Sequence, residues 1–349
     1  MKLIRPLTVT TAILTDASAL EAPPAAYAGG TTYALGNQVS VFGGIDNTTA
    51  TIYQSLQASN TGHTPASSPT WWQEMGTAYL AYNGATSYSI GATVTDTTNH
   101  LLYESLAGAN LGNALTDATK WLELGPSNRW ALFDQKTGTQ TQWYGEVSGE
   151  FTLTAGRVDT VGLLNVDAGS VNITIMDGAT EVYNQDHSLV STDGITDWHA
   201  YFFEEVTRKT DLVVTDLPNV LAPTITVTAT SGSTVSIGQC ILGTARELGG
   251  TEYGASVGIT DYSRTTQDDF GNWYFVQRGY SKRGRFTVWA DANTTDYLFN
   301  LLASYRSTPV LVTGSDDYTS TYLFGIFKDW SIALQYPSHS ILDLEFQGI

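Results

Sequence analysis

Residues that could do chemistry are few in this chain. The five histidines, His63, His100, His187, His199 and His339, stand apart, and no two have the spacing of metal ligands. Asp186-His187 and Asp197-Trp198-His199 each set a carboxylate beside an imidazole, and the two could meet as an acid–base pair. Surface or loop histidines explain them better. Glu204-Glu205 and Asp268-Asp269 are adjacent carboxylates, and neighbours on a strand point to opposite sides, which is the wrong geometry for a glycosidase pair. Cys240 is the only cysteine, so no intrachain disulfide can form, and its apolar setting suits a small buried hydrophobe. No Gly-x-Ser-x-Gly, Walker or dinucleotide motif occurs. The expectation is a chain with no catalytic residue, no metal and no cofactor, hence not an enzyme.

Two groups point to recognition instead. Arg278, Lys282, Arg283 and Arg285 form the only basic concentration in a chain of formal net charge −18. They read either as a solvated hairpin turn around Lys282-Arg283-Gly284 or as a basic edge that meets an acidic neighbouring subunit. Trp71-Trp72 is the other group. On a strand one of these rings faces the core and the other faces outward, and Trp72 aligns with Trp121 below, so Trp71 is left to stack on a sugar face or on protein. Tyr53, Tyr79, Tyr82 and Tyr103 complete the candidate glycan-contacting rings.

The elements that must carry these rings are two copies of one unit. Tyr27, Gly29, Thr31, Tyr33, Gly36, Val39, Tyr53, Ser55, Leu56, Asn60, Gly62, Trp72, Glu74 and Gly76 recur as Tyr82, Gly84, Thr86, Tyr88, Gly91, Val94, Tyr103, Ser105, Leu106, Asn110, Gly112, Trp121, Glu123 and Gly125. The offset slides from 55 to 49 residues, so loops change length while anchors stay. Tyr-x-x-Gly-x-x-Val gives a turn at a permissive glycine and then a strand, and a closing Trp completes a core too small to build from aliphatics alone.

This pattern resembles the chitin-binding-type carbohydrate-binding modules of families 5 and 12, through Tyr33, Gly36, Val39, Tyr53, Gly62, Pro65 and Trp72 and their counterparts Tyr88, Gly91, Val94, Tyr103, Gly112 and Trp121. Where those modules place an exposed aromatic pair after the strand Tyr, this chain has Gln57-Ala58 and Ala107-Gly108. The resemblance therefore implies the fold more than sugar binding. With few exposed rings, a lone module is expected to bind oligosaccharide only in about the millimolar range. Asn128-Arg129-Trp130-Ala131-Leu132-Phe133-Asp134 is similar to a signature of bacteriophage tail and virion proteins that carry the same modules, with Leu132 in place of a Met, and the Lys2-Leu3-Ile4-Arg5-Pro6 opening is similar as well. The resemblance implies a structural protein of the distal tail or baseplate in the virion. It would assemble with other tail proteins, as a homo-oligomer, and attach weakly and multivalently to host surface glycans. A freestanding lectin, or an accessory module of a polysaccharide-degrading system, is the alternative.

Composition sets the remaining bounds. At 349 residues the chain should hold two or three domains, and 14% charged residues with 11% aromatics suit an all-β extracellular or virion protein. No Lys or Arg occurs between residues 6 and 119, which together with the net charge opposes a nucleic-acid partner. No stretch approaches the roughly 20 apolar residues of a membrane span, and Pro6 with Asp16 interrupts what would be a signal-peptide core. The domain reading is an arm at 1–26, repeats at 27–78 and 79–126, a jelly-roll-like β-sandwich at 127–245, and a C-terminal α+β assembly domain at 246–349. The arm reads as a flexible tail or as an arm docked on a neighbouring subunit, with a strand in Thr-rich 7–14. Period-two runs at Val171–Ile175 and Ile225–Ala229, with Asp177-Gly178 and Ser231-Gly232 turns, carry the sandwich. In the last unit Asn293 is expected to cap a helix whose Leu298, Leu301, Leu302 and Tyr305 share a face, among antiparallel strands. The fold class is mainly β.

Overall fold

A computed structural model describes every residue except 137, 146–147, 192–194, 196, 204–206, 233 and 316–317. The chain is mainly β and almost wholly antiparallel. Its centre is a sandwich. One sheet runs in the order Thr180–Ser188, Ser170–Asp177, Thr224–Thr230, Ser148–Thr154, and the other Thr141–Trp143, Val235–Gly243, Thr160–Asp167, Leu212–Val214. Taken along the chain, those eight strands switch sheets at every step except the hairpin Ser170–Asp177/Thr180–Ser188, which is the connectivity of a jelly roll, as the period-two pattern predicts. Strand alternation turns Phe151, Leu153, Ile173, Ile175, Ile225 and Val227 inward from one sheet against Val161, Leu163, Val235 and Ile237 from the other. Cys240 is fully buried here, and burial pushes its thiol well above the ordinary range, which keeps it inert.

The first residues are not a free tail. Lys2–Ile4 lies between Ala245–Glu247 and Val310–Thr313 within the C-terminal sheet, and Leu14–Ala17 extends the sandwich by pairing with Ser148–Thr154. The Thr-rich segment expected as a strand at 7–14 instead turns, with Ile13 and Leu14 both bonded back to Thr10 O. Because successive side chains on a strand face opposite sides, Leu3 enters the C-terminal core while Ile4 faces the jelly roll. Ile4, Leu164, Ile241, Leu311 and Phe324 form the apolar seam between the two units. Gly243 has no room for a Cβ, which would come 2.6 Å from both Arg5 O and Ile4 Cγ2.

The C-terminal sheet continues with Tyr322–Ala333, His339–Gly348, Tyr280–Asp291 and Gly250–Thr251, and Ser256–Asp261 also pairs with the Tyr280–Asp291 strand. The helix Thr295–Ser304 packs Leu298 and Leu302 onto it. The start differs from expectation. Asn293 is not the cap; the Asp291 carboxylate accepts Asn293 N–H at 2.9 Å and opens a short 3-10 turn that runs into the helix.

Each repeat is a three-stranded meander: Gln38–Gly43, Thr49–Ser55 and Trp72–Tyr79 in the first, and Thr93–Asp96, Leu101–Ser105 and Trp121–Pro126 in the second. Gly36 and Gly91, at φ 83° and 84°, make the predicted turns. The loop between the first two strands of repeat 1 bends through positive φ at Gly44, Asp46 and Asn47, which sets the Asp46 carboxylate over Ser89 N–H and Oγ of repeat 2.

Candidate functional site

The module interiors account for most of the rings assigned to sugar. Tyr27, Tyr33 and Trp72 form a triad: the tyrosines stack at 5.9 Å and 26°, and Trp72 stands edge-on to them at 5.8 and 5.2 Å. Tyr82, Tyr88 and Trp121 reproduce it at 6.0, 5.6 and 5.4 Å with nearly the same angles. The polar staples repeat too. Asn60 Nδ2 donates to Ser55 Oγ at 3.0 Å and Asn110 Nδ2 to Ser105 Oγ at 3.0 Å, while Trp72 Nε1 donates to His63 O and Trp121 Nε1 to Asn113 O. A core this small is held by ring geometry and satisfied donors rather than by volume.

Those placements settle where the five candidate rings lie. Tyr82 belongs to the second triad and donates its hydroxyl to Asn113 O at 2.7 Å. Tyr103 is buried, and Tyr53 is half-buried against the first core. Burial, with Glu74 and Glu123 nearby, holds the Tyr53 and Tyr103 phenols above the ordinary range. Tyr79 is half-buried at the end of its strand. Trp71 is half-buried, and one face is already taken by His63, stacked at 3.8 Å and 11°. Of the five, Tyr103 is buried and Tyr53, Trp71, Tyr79 and Tyr82 are half-buried. What each repeat does expose is aliphatic: Leu35 and Leu56 in the first, Ile90 and Leu106 in the second. The sequence reading counted Leu56 and Leu106 as repeated anchors without placing them outward, and it missed Leu35 and Ile90, although they too recur in register.

The run 128–134 forms a joint. Asn128 uses its side-chain amide like a strand, accepting from Gln142 N and donating to Gln142 O at 2.9 Å each. Trp130 stacks on His100 at 3.9 Å and 16° and meets Phe133 edge-on, and Phe133 in turn meets Phe151 of the jelly roll. Glu21 of the arm sits at the centre. Its carboxylate takes His100 Nδ1 at 2.8 Å, Ser127 Oγ at 3.0 Å and Trp130 Nε1 at 3.3 Å. Arm, second repeat and jelly roll thus meet on one carboxylate that is 15% exposed, sheltered enough to matter. Glu21→Ala strands the Ser127 and Trp130 donors and should cost about 1–3 kcal/mol. Denaturant melts checked against Glu21→Gln, which keeps an acceptor and should cost less, measure it; equal losses in the two would show that the acceptor is not what matters.

The titratable candidates each have partners within the chain. His187 Nε2 lies 3.2 Å from Tyr183 OH, and burial lowers its pKa against the pull of Asp186. His199 lies against Phe203, so the two aspartate–histidine neighbours turn to separate partners. His339 is held between Trp289 and Tyr336. Glu204-Glu205 lies outside the described residues. Asp268 staples a turn by accepting the Asn272 side-chain amide, Asn272 N and Phe270 N, which holds its carboxyl below the ordinary range. Among the described residues no cluster of three His, Cys, Asp or Glu could hold a metal ion.

The basic group is no turn. Lys282, Arg283 and Arg285 lie inside the strand Tyr280–Asp291, and the turn reading fails because the chain reverses farther out, at Asp268–Asn272. Alternation separates them. Lys282 turns inward and binds Asp211 of the jelly roll, so it is an internal tie between units rather than a subunit contact. Arg285 pairs with Glu345 at 3.0 Å, while Arg278 and Arg283 are exposed. Arg278 belongs to the projection that the sequence reading saw only as a strand. Beyond the pairing of Ser256–Asp261 with Tyr280–Asp291, the hairpin Arg264–Gln267 with Trp273–Val276 runs on alone. Trp273 and Phe275 stack on one face at 6.4 Å, Tyr274 and Val276 occupy the other, and Phe270 stands 91% exposed at the tip. Exposure of rings on both faces could not be read from local pattern, since an aromatic strand ordinarily means core.

No protein-family model and no curated protein matches this chain.

Proposed function

We propose that this chain is a structural protein of a bacteriophage virion, at the distal tail or baseplate, whose repeats are mounts and contact modules related to chitin-binding-type carbohydrate modules. The observation that carries this is the joint at Glu21, His100, Ser127 and Trp130. The run that resembles the virion signature is the piece of chain that fastens arm, repeat and jelly roll together, and its ring, amide and carboxylate groups go into fastening. The −18 charge, the scarcity of Lys and Arg, and histidines and carboxylates bound up in ring stacks and turns agree with an assembly role rather than with hydrolysis. Antibody labelling of purified particles in the electron microscope tests the reading. Label at the tail tip or baseplate is expected, and particles devoid of the chain would refute it.

The lectin alternative makes a different demand. With Tyr82 and Tyr103 inside the modules and Trp71 half covered by His63, the full chain should bind chitooligosaccharide no more tightly than about millimolar, and useful adhesion would come from many copies on one particle. Calorimetric titration that returned micromolar affinity for the full chain would favour the lectin over the tail protein.

A further inference from the structure

The strand Trp273–Val276 has one edge in use. Its partner is Arg264–Gln267, and no other strand or bridge reaches it among the described residues. The turn decides which backbone groups face the open side. Asp268 N–H donates to Asn272 O at 3.0 Å, so Asp268 and Asn272 are a hydrogen-bonded pair. Antiparallel pairs alternate, so Tyr274 and Val276 bond across the hairpin to Thr266 and Arg264, while Trp273 and Phe275 turn their N–H and C=O groups outward. Those two residues also share a face, with rings stacked at 6.4 Å and 19°. Sheets ordinarily blunt such an edge with Lys, Pro or a bulge. Trp-Tyr-Phe-Val has none of these, and all four side chains are more than half exposed. The opposite edge, Arg-Thr-Thr-Gln, is polar and carries a cation. An isolated two-stranded hairpin is marginal in water, and this one would gain from a strand added on its apolar edge.

Charge indicates which strand. Asp268 spends its carboxylate on the turn, but Asp269 beside it is exposed, and Arg278 is exposed at the root of the hairpin. Neither has an ion-pair partner among the described residues. An acid at the tip and a cation at the root are complementary to the same strand run backwards. A parallel copy would set like beside like.

We propose that two copies of the chain pair edge to edge through Trp273–Val276, antiparallel about a two-fold axis at Tyr274. Trp273 of each copy then lies opposite Phe275 of the other, and the two exchange both backbone hydrogen bonds. Their rings form one row on one face, and the Tyr274 side chains meet across the axis on the other. Arg278 of each copy comes beside the turn that carries Asp269 of the other. The contact is isologous, and the joined sheet ends on both sides in the polar Arg264–Gln267 edge, so it closes at two. A ring of this kind covers about 150–250 Å² when fully buried, so Phe270, Trp273 and Phe275 from two copies, already partly covered, bring roughly 600 Å² to the weak end of specific interfaces. The pairing rests on the assembly reading above and gives it a self-contact.

Sedimentation of the full chain over a concentration series tests this, with circular dichroism and melting to establish that each variant folds. The wild type should show a monomer–dimer equilibrium and nothing larger. Phe275→Pro removes an outward N–H and leaves the hairpin's own ladder intact, so the association constant should fall about tenfold or more, beyond the loss from Phe275→Val, which keeps the N–H. Thr265→Pro removes an outward N–H on the polar edge and should leave association unchanged. Asp269→Arg and Arg278→Asp should each weaken the dimer about fivefold, and the two together should restore it, because the exchanged charges meet again across the axis. A wild type that stays monomeric to its solubility limit overturns the proposal, and flotation of that monomer with anionic phospholipid vesicles would assign the rings to lipid instead. A Phe275→Pro loss no larger than that of Phe275→Val or Thr265→Pro also overturns it, as does a double charge exchange no better than its parents. The particle labelling above separates the two readings: label without a dimer sinks the pairing alone, and a dimer without label sinks the virion placement alone.

Discussion

Deleting residues 1–17 should unfold the C-terminal unit and loosen the jelly roll, although the deletion removes no residue that local pattern places in either. Lys2–Ile4 is an interior strand, bonded on both sides, so its loss leaves the partner edges of Ala245–Glu247 and Val310–Thr313 open to water. Leu3 and Ile4 are both fully buried. Removing one such aliphatic costs about 2–5 kcal/mol, and losing two with their ladder uses up most of the roughly 5–15 kcal/mol by which a domain is stable. Hydrogen exchange on the truncated chain is the measurement: amides of Val310–Thr313 and Ala245–Glu247 should lose protection first, while those of the repeats hold. Protection unchanged in Val310–Thr313 would mean that the arm is a passenger. The milder Leu3→Ala should lower stability by about 2–5 kcal/mol in the same unit without removing a strand.

The arm shows where the sequence stops being informative. A three-residue strand carries no period worth reading, and its partners lie more than 240 residues away, so only the tertiary structure says that it is not a tail. The jelly roll was legible because Ser170–Asp177 and Thr224–Thr230 alternate between inward and outward residues over seven or more positions, and the first of them turns on Asp177-Gly178, a local code. The repeats were legible because two copies constrain each other: a Tyr or Trp that returns at the same offset in both must do the same job. What that logic could not separate is a ring used inside the module from one used on a sugar, since both kinds recur. Tyr82 and Tyr103 were offered as glycan-contacting rings, and the triad claims one while burial claims the other. Lys282 failed for a different reason. Four cations close in sequence look like one patch until strand alternation sends one of them to Asp211.

The same alternation governs Trp71 and Trp72, and it sets the second large effect. Trp72 is 2% exposed, closes the triad with Tyr27 and Tyr33, and donates its indole N–H to His63 O at 2.7 Å. Trp121 has the same exposure and the same role, with Asn113 O as acceptor at 3.2 Å. Truncating either to alanine removes a large ring from a core of a few side chains that has little else with which to refill the space, and should cost about 3–5 kcal/mol. In modules near 50 residues, where the apolar core is marginal, that is enough to melt the repeat while the jelly roll stands. Trp71→Ala loses a stack on His63 at a half-buried site and should cost on the order of 1 kcal/mol. Thermal melts followed by tryptophan fluorescence, with the three variants side by side, distinguish these cases. The two modules are joined by Asp46 over Ser89, so Trp121→Ala should also lower the midpoint of the first repeat slightly. A costlier Trp71 than Trp72 would mean that the core of the first repeat closes on the other ring, and the likeness between the two triads would then be without energetic content.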